Sequence, residues 1–321
     1  MARYLPLLAV QDPPLDDPSP TGPFEPTLRS HLDRFPQARL AVFPELHLCG
    51  SHLGTAAEQA EPLDGTRAKW LCRLARDLNI WLIPGTVYEL GQDGNFYNTA
   101  LVIAPSGQIA AAYRKCFPWR PWETVTPGRG FVTADLTGIG RIGISICYDS
   151  WFPEVARQLA WMGAEVIIQP TLTATADRPQ EIILARAAAI ANQVYVVNLN
   201  AAAPGGTGHS LIAGPEGEVI YQAGQTPVAM TQVLDLDQVT KARRFGTAGL
   251  NRLWDQFRAT DHPLPLPAYA GRIDPHDWTP ATAGEITPDR TEPGPDAPAG
   301  ASPAEEAAAA PPEPAPVGGQ S

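Results

Sequence analysis

Residues 141–154 read RIGISICYDSWFPE, and this stretch decides what the rest of the chain has to build. Its first six residues alternate Ile with Gly or Ser, a pattern that predicts a buried strand in a layered α/β protein. Pro153 suits the first position of a helix, and apolar residues then recur at helical spacing up to Gly163. The sequence therefore predicts a strand, a tight corner at Cys147 and a helix.

A corner of this kind places the Cys147 side chain at the carboxyl edge of a sheet, beside free backbone N–H groups. Such groups favour a thiolate, and they stabilise an oxyanion that forms from a substrate carbonyl. The alternative is an inert core cysteine, because free Cys is among the most buried residue types. Other parts of the chain must distinguish a nucleophile from a packing residue.

The charge of the chain is uneven along its length. Residues 272–321 carry a net charge of −7, which leaves −4 of the total −11 on the other 271 residues. The Pro- and Ala-rich end lacks the apolar residues that offset the entropy of ordering, so 263–321 is predicted to be a disordered acidic tail. Residues 1–262 are long enough and contain enough apolar residues to bury a hydrophobic core, so this segment is predicted to be the functional domain.

Composition also excludes several classes of partner. The chain has no long basic run, which argues against nucleic acid, and no stretch of about 18 apolar residues that could span a bilayer. Its 4 cysteines lie far apart without a C-x-x-C pair, so neither a metal site nor a disulfide framework is predicted. Reduced thiols and an N-terminus without a convincing cleavage site predict a cytoplasmic protein.

Short apolar strands recur along the chain, and amphipathic helices occur in both halves. One such helix is predicted over 66–79, where five apolar residues share a face. Turn signals at 91–94, 105–107 and 215–217 join strands directly, which interrupts simple β-α-β alternation. The predicted fold is therefore α/β, a four-layer α-β-β-α sandwich of two mixed sheets faced by helices, rather than one doubly wound sheet.

Two further strand ends carry chemically useful groups. The segment ARLAVFPE, 38–45, predicts a strand that closes on Glu45, and QIAAAYRK, 108–115, predicts one that closes on Lys115. Taken alone, the glutamate is best interpreted as a surface or capping carboxylate, and the lysine as a solvated cation. Their interpretation depends on whether they meet the cysteine.

The loop 116–130, CFPWRPWETVTPGRG, is rich in Pro and Trp and carries Glu123. A loop glutamate in such a segment can simply pair with a neighbouring arginine. Trp119 and Trp122 are candidate walls of a pocket, as is Trp151 after the cysteine, and packing is an equally good interpretation of each.

Glu45, Lys115 and Cys147 resemble, in that chain order, the Glu-Lys-Cys set of the carbon-nitrogen hydrolase (nitrilase-like) superfamily. The resemblance covers about residues 4–245 and includes PGTVYE, FYNTALVIAPSGQ and GHSLIAGPEGEVI. The segment KCFPWRPWE also resembles the Lys-x-x-Pro-Trp-x-Pro-x-Glu loop of the aliphatic amidase and formamidase branch, which implies a supporting role for Glu123. Four motifs in the family's order favour membership over coincidence.

The chain departs from that branch in CYDSWFPE, which is closer to the C-Y-D-x-x-F-P-E form of other branches. Members similar to ω-amidases commonly have Arg where this chain has Trp151. If that Arg binds a substrate carboxylate, Trp151 implies a neutral or aromatic substrate end. Trp119 and Trp151 are the predicted substrate-binding side chains.

The resemblance implies a thiol-dependent, cofactor-independent hydrolase that releases ammonia and a carboxylic acid from a small amide. Cys147 would be the nucleophile, and Glu45 would carry protons to and from it. Lys115 and the backbone N–H of Tyr148 would hold the oxyanion. Glu123 would orient Lys115 or the substrate.

Several alternatives stay open. The same residues would serve an N-carbamoyl amide hydrolase or a nitrilase, and the scaffold could also bind a ligand without catalysis. A Cys-His mechanism is disfavoured, because His47 and His209 lie in no recognisable nucleophile–base context. The resemblance also implies a homodimer or larger homo-oligomer, formed through helices near 153–163 and the segment after residue 235.

Overall fold

The computed structural model describes residues 2–50 and 53–256, together with Thr260 and His262. The elements given below lie within one compact unit, residues 1–259. Within the described residues, no helix has the length and apolar character needed to cross a membrane. The predicted tail, 263–321, lies outside the described residues, so its disorder stays a prediction.

The described residues form two sheets and six α-helices. The strands are β1 (Tyr4–Gln11), β2 (Leu40–Val42), β3 (Trp81–Ile83), β4 (Thr86–Leu90), β5 (Phe96–Ile103), β6 (Ile109–Arg114), β7 (Val132–Leu136), β8 (Gly140–Ile144), β9 (Val166–Thr171), β10 (Tyr195–Asn200), β11 (Leu211–Ala213), β12 (Val219–Gln222) and β13 (Val228–Asp235). The helices are α1 (Phe24–Arg34), α2 (Ala56–Gln59), α3 (Thr66–Leu78), α4 (Pro153–Trp161), α5 (Arg178–Asn192) and α6 (Asp237–Phe245).

Each sheet mixes parallel and antiparallel pairs. The first has the order β13-β1-β2-β3-β5-β4, with β6 paired to β5, and the second has the order β12-β11-β10-β9-β8-β7. Strands β1, β2 and β3 are parallel to one another, as are β8, β9 and β10, whereas the remaining pairs are antiparallel. Because parallel strands end at one edge, the chain segments that follow β2 and β8 leave their sheets where a site can form.

Apolar side chains fill three layers between these elements. Leu7 of β1 and Ile168 of β9 belong to the buried cluster between the two sheets. Their sequence neighbours point to the opposite faces, since side chains alternate along a strand. Leu8 packs with residues of α1 and α3, and Ile167 packs with residues of α4 and α5. The predicted α-β-β-α sandwich is confirmed.

The chain leaves β2 earlier than the sequence predicts. The strand ends at Val42, and the chain then turns through Pro44, which lacks an N–H for a sheet ladder. Gly85, between β3 and β4, has φ +86° and approaches this turn so closely that a Cβ would lie 1.8 Å from the Pro44 carbonyl oxygen. Strands β3 and β4 are therefore separate elements at this contact, and Glu45 lies in a turn rather than in a strand.

Candidate active site

The Cys147 corner has the order that the sequence predicts. Strand β8 ends at Ile144, a 3-10 turn spans Cys147–Trp151, and α4 begins with Pro153 in its first turn. Cys147 itself has φ +45°, in the left-handed region that few residues other than Gly adopt. A non-glycine residue held there costs free energy and is often found at functional sites.

The Asp149 carboxylate holds this corner together. It accepts hydrogen bonds from the backbone N–H of Ile146 at 2.9 Å, the hydroxyl of Tyr113 at 2.8 Å and the backbone N–H of Phe117 at 2.9 Å. Burial raises the pKa of Asp149 to about 6. These contacts shape the corner, and they also join it to β6 and to the loop 116–130.

Lys115 lies between two carboxylates in the interior. Its Nζ donates to Oε1 of Glu45 at 3.0 Å and to Oε2 of Glu123 at 2.6 Å, and the lysine side chain is only 1% exposed. Asn98 on β5 joins the same cluster, because its Nδ2 donates to Glu45 at 2.8 Å and to Glu123 at 3.4 Å. The structure thus brings together four residues that lie up to 78 positions apart in sequence.

The loop 116–130 folds Glu123 back onto Lys115. The backbone N–H of Trp119 donates to the Glu123 carboxylate, and the backbone N–H of Gly128 donates to the Lys115 carbonyl at 2.8 Å. Among the described ion pairs, Glu123 is paired with Lys115 rather than with an arginine of its own loop. This arrangement favours the supporting role of Glu123 over the surface pairing considered from the sequence.

The charges of the cluster act on one another. Burial opposes the charge on Lys115, but Glu45, Cys147 and Glu123 together outweigh burial and raise its pKa, so the ammonium stays protonated. Burial raises the pKa of Glu45, against the opposing effects of Lys115 and of a hydrogen bond with the Cys147 thiol. The carboxylate is therefore a stronger base than an exposed glutamate.

Cys147 is held as a neutral thiol in the resting protein. Burial, the largest effect, and the negative charge of Glu45 both raise its pKa, while Lys115 lowers it. A thiol of this kind needs a base that takes its proton during the reaction. Glu45 has the position and the raised pKa that this task requires.

On its other side, Cys147 contacts polar residues that the sequence did not single out. The sulfur lies 3.8 Å from Oγ1 of Thr173, and Nε2 of Gln169 donates to the Cys147 carbonyl at 3.0 Å.

Two residues of the site were not predicted from the sequence, Asn98 and Thr173. Asn98 lies within FYNTALVIAPSGQ, a segment that carries part of the family resemblance, so the sequence did contain a signal for it. Thr173 follows β9 in an irregular polar segment, where spacing gives no indication of a role.

The aromatic candidates occupy different environments. Trp119 and Trp122 stack with ring centroids 4.4 Å apart, but Trp122 is 68% exposed, which does not fit the wall of a closed pocket. Tyr148 and Trp151 lie on the 3-10 turn beside the nucleophile, with ring centroids 6.0 Å apart. The second pair therefore stays a candidate for contact with substrate, together with Trp119.

His47 is a core residue. It is 2% exposed and stacks on Phe43 with ring centroids 5.0 Å apart. Burial lowers its pKa to about 3, so the ring is neutral at physiological pH. Packing in the core therefore accounts for the position of His47.

In the part of the chain that the structure describes, no group of three or more His, Cys, Asp or Glu side chains could hold a metal ion.

Comparison with known proteins identifies the family. The model of the carbon-nitrogen hydrolase family matches residues 28–244. This chain belongs to the carbon-nitrogen hydrolases. An (R)-stereoselective amidase of a Pseudomonas species is 35% identical over 232 residues, covering 70% of this carbon-nitrogen hydrolase and 83% of the relative. The deaminated glutathione amidase of Homo sapiens is 31% identical over 228 residues, which cover 64% of this chain and 69% of the relative.

A solved structure extends the comparison to the fold. The crystal structure of Saccharomyces cerevisiae Nit3, a member of branch 10 of the nitrilase superfamily, superposes on this carbon-nitrogen hydrolase with a TM-score of 0.68. The two are 26% identical, and the match covers 75% of this chain and 94% of the yeast chain. The predictions of the superfamily and of a carbon-nitrogen hydrolase enzyme are confirmed.

Proposed function

We propose that this enzyme hydrolyses a small linear amide to ammonia and a carboxylic acid through a thioester on Cys147. The observation that carries the proposal is the buried Lys115 ammonium, which hydrogen-bonds Glu45 and Glu123 and opposes the rise in the pKa of the Cys147 thiol that burial causes. A nucleophile, a base and an electrophilic cation are the groups that acyl transfer from an amide requires.

In the first half-reaction, Glu45 takes the thiol proton as the Cys147 sulfur attacks the carbonyl carbon of the amide. Lys115 and the backbone N–H of Tyr148 stabilise the oxyanion of the tetrahedral intermediate, and each such donor is typically worth about 3 kcal/mol. Glu45 then gives its proton to the nitrogen as the C–N bond breaks. Ammonia leaves, and the acyl group stays on sulfur as a thioester.

In the second half-reaction, Glu45 takes a proton from water, and the resulting hydroxide attacks the thioester carbonyl. The C–S bond breaks, the acid leaves, and the proton on Glu45 returns to the sulfur. One water is consumed for each amide, and Glu45, Lys115 and Cys147 are restored. Glu123 keeps Lys115 oriented throughout, because its carboxylate is the nearer of the two that accept from Nζ.

Within the superfamily, we assign this enzyme to the aliphatic amidase and formamidase branch. The sequence of the loop from Lys115 to Glu123 supports this assignment. A neutral acyl end fits the site, because Trp151 replaces the Arg of ω-amidase-like members. Similarity to an (R)-stereoselective amidase supports an amide with a stereocentre. An N-carbamoyl amide or a nitrile is the alternative substrate for the same residues.

A substrate panel with two readouts tests the proposal. Ammonia release is measured on linear amides, the two enantiomers of a chiral amide, ureido acids and nitriles, and intact mass reports the acyl group on the protein. We expect ammonia from amides and an acyl adduct on Cys147. Cys147→Ser should abolish both, whereas Cys72→Ser, a change in a partly exposed cysteine on α3, should abolish neither.

The panel also separates the alternatives. Turnover of ureido acids alone, with carbon dioxide as a further product, would replace the amidase with an N-carbamoyl hydrolase, and turnover of nitriles alone would indicate a nitrilase. If no compound is turned over and iodoacetamide does not label Cys147 in preference to the other cysteines, the scaffold binds a ligand without catalysis.

We also propose a homodimer or larger homo-oligomer that uses α4 and the segment after residue 235. Exposed apolar side chains at the ends of these elements support it, since Trp161 on α4 is 59% exposed and Phe245 on α6 is 52% exposed. Sedimentation velocity measures the mass in solution, and a monomer at every concentration would contradict the proposal.

A further inference from the structure

A chain of buried polar contacts leads away from the Cys147 sulfur on the side of Thr173. Oγ1 of Thr173 lies 3.8 Å from the sulfur and donates to Oε1 of Glu181 at 2.9 Å. The second oxygen of Glu181 accepts from Nη1 of Arg178 at 2.9 Å. The proposed hydrolysis uses Glu45, Lys115 and Glu123, and it leaves this second set of residues without a role.

Burial makes these contacts costly unless they are well paired. Thr173 is 5% exposed, and Glu181 and Arg178 are each 2% exposed. An ion pair in the interior loses hydration that its mutual attraction often only just offsets, so it is poor evidence for stability alone. Arg178 also donates to the carbonyls of Gly208 and His209, at 3.2 Å and 2.9 Å, so each of its three side-chain nitrogens has an acceptor.

The direction of each hydrogen bond follows from the charges. The Glu181 carboxylate is paired with the Arg178 guanidinium, and a carboxylate can only accept hydrogen bonds. The Thr173 hydroxyl must therefore give its one proton to Glu181, and its lone pairs face the sulfur. Thr173 therefore presents only lone pairs to the sulfur at 3.8 Å, and the single proton of the Cys147 thiol is left for the Glu45 carboxylate.

The backbone of Thr173 is fixed as firmly as its side chain. Its N–H donates to Oδ1 of Asn200 at 2.8 Å, and its carbonyl accepts from Nδ2 of the same side chain at 3.0 Å. Asn200 is fully buried at the end of β10. The hydroxyl oxygen therefore keeps one position relative to the cysteine corner.

We propose that Thr173 is a positioning residue that holds the Cys147 sulfur in its reactive orientation, with its own hydroxyl aimed by the Glu181–Arg178 pair. The inference rests on the proposed role of Cys147 as nucleophile but not on the identity of the amide. Thr173 touches the sulfur on one side, and Glu45 acts on it from another. The sulfur is thereby kept from turning towards rotamers in which Glu45 cannot take its proton.

The electrostatics support the same assignment. The charged groups that act on the thiol are Glu45 after β2, Lys115 after β6, and the Glu181–Arg178 pair on α5. After burial and Glu45, the negative charge of Glu181 further raises the pKa of Cys147. The Thr173 oxygen presents its lone pairs to the sulfur, which also favours the neutral thiol over the thiolate.

The test compares Thr173→Val, which removes the hydroxyl at nearly constant shape, with Thr173→Ser, which keeps it. Two quantities are measured: kcat and KM on the best amide of the panel, and the pH dependence of Cys147 alkylation by iodoacetamide. For Thr173→Val we expect kcat to fall by about tenfold, because the polar contact that holds the sulfur in its reactive orientation is lost, with KM nearly unchanged. The midpoint of alkylation should move to lower pH, because the oxygen lone pairs that disfavour the thiolate are removed.

Thr173→Ser should restore kcat to within about threefold of the parent and return the alkylation midpoint, since the serine hydroxyl can make the same two contacts. Thr175→Val is the matched control. Its hydroxyl bonds the Asp177 carboxylate in the same segment, and Thr175 is exposed. We expect no change from this variant in either quantity.

Thermal unfolding confirms that each variant is folded, and Thr173→Ala gives the same comparison if the valine is not accommodated. An unchanged kcat and midpoint in a folded Thr173→Val protein would overturn the inference. A midpoint that moves to higher pH would also overturn it, because Thr173 would then donate to the thiolate. If the parent turns over no amide, the amidase proposal fails while the alkylation comparison still decides the role of Thr173.

Discussion

Lys115 is the residue on which the candidate site depends, because it carries a full charge in a place that water does not reach. Two glutamates share this ammonium, at 3.0 Å for Glu45 and 2.6 Å for Glu123. The two carboxylates also repel each other, and the charge of Glu123 raises the pKa of Glu45. Glu123 therefore tunes the base as well as orienting the lysine.

This coupling predicts the effect of Glu123→Gln on the pH dependence of the reaction. Without the second negative charge, the pKa of Glu45 falls, so the acid limb of the kcat/KM profile should move to lower pH. The loss of a charge-assisted hydrogen bond to Lys115 should also lower kcat by roughly tenfold to a hundredfold. Initial rates on one amide between pH 4 and pH 9 measure both effects.

Glu25→Gln is the matched control, since it makes the same change in a partly exposed carboxylate that pairs with Arg29 on α1. This variant should keep the parent profile. An acid limb that stays in place, or that moves to higher pH, in the Glu123→Gln protein would show that Glu123 does not act on Glu45.

At the scale of elements, the site depends on how the cysteine corner is joined to the loop after β6. Asp149 makes this connection, because one carboxylate accepts from Ile146 before the cysteine and from Phe117 at the start of the loop. Its third donor is the hydroxyl of Tyr113, within β6. Position 149 therefore sets the distance between the nucleophile and the Lys115–Glu123 segment.

Asp149→Asn tests this connection. The amide offers only one acceptor atom to three donors, so at least one buried N–H or O–H loses its partner. We expect the free energy of unfolding to fall by about 1–3 kcal/mol and kcat to fall with it, as the two segments separate. Urea unfolding at pH 7.5 and steady-state kinetics measure the two quantities.

Asp135→Asn, on β7, is the control, because that carboxylate is exposed and pairs with Arg141 at the surface. It should change stability by less than about 0.5 kcal/mol. If the Asp149→Asn variant has the same free energy of unfolding and the same kcat as the parent, the three hydrogen bonds do not hold the site together.

The elements also show what could be predicted from the sequence. The strand, corner and helix around Cys147 were predictable because alternation and Pro153 are local signals. The early end of β2 was not predictable from the sequence. It depends on the contact of Gly85, which follows β3, with the carbonyl of Pro44, which follows β2. Thr173 was missed for a similar reason: its contacts are to Cys147 and Glu181, and no spacing rule relates those positions.

The whole molecule is stabilised by three apolar layers, and polar residues inside them make stability depend on pH. His47 belongs to the layer between the first sheet and its helices, where it stacks on Phe43 and lies 5.8 Å from Phe24 between ring centroids. Its pKa in the folded protein is about 3, whereas an unfolded chain restores the ordinary value of 6.5. As the pH falls, His47 therefore becomes protonated at a higher pH in the unfolded chain than in the folded protein.

The sign of the effect follows from this difference. Above pH 6.5 the ring is neutral in both states, and His47 has no influence on the pH dependence of stability. Below pH 6.5 the unfolded chain gains a proton that the folded protein does not bind, so stability falls by about 1.4 kcal/mol per pH unit until the pH approaches 3. Between pH 7 and pH 5, His47 should contribute a loss of roughly 2 kcal/mol.

His47→Gln removes the titrating group and keeps an N–H donor, so the variant should lose roughly 2 kcal/mol less than the parent between pH 7 and pH 5. Urea unfolding of both proteins at the two pH values gives this difference, and groups such as Asp149 contribute equally to each protein. His31→Gln, at a half-buried histidine whose pKa burial also lowers, should reduce the loss by a smaller amount because solvent screens that site. Equal losses in the parent and in His47→Gln would contradict this prediction, because the ring would then be hydrated or charged in the folded protein.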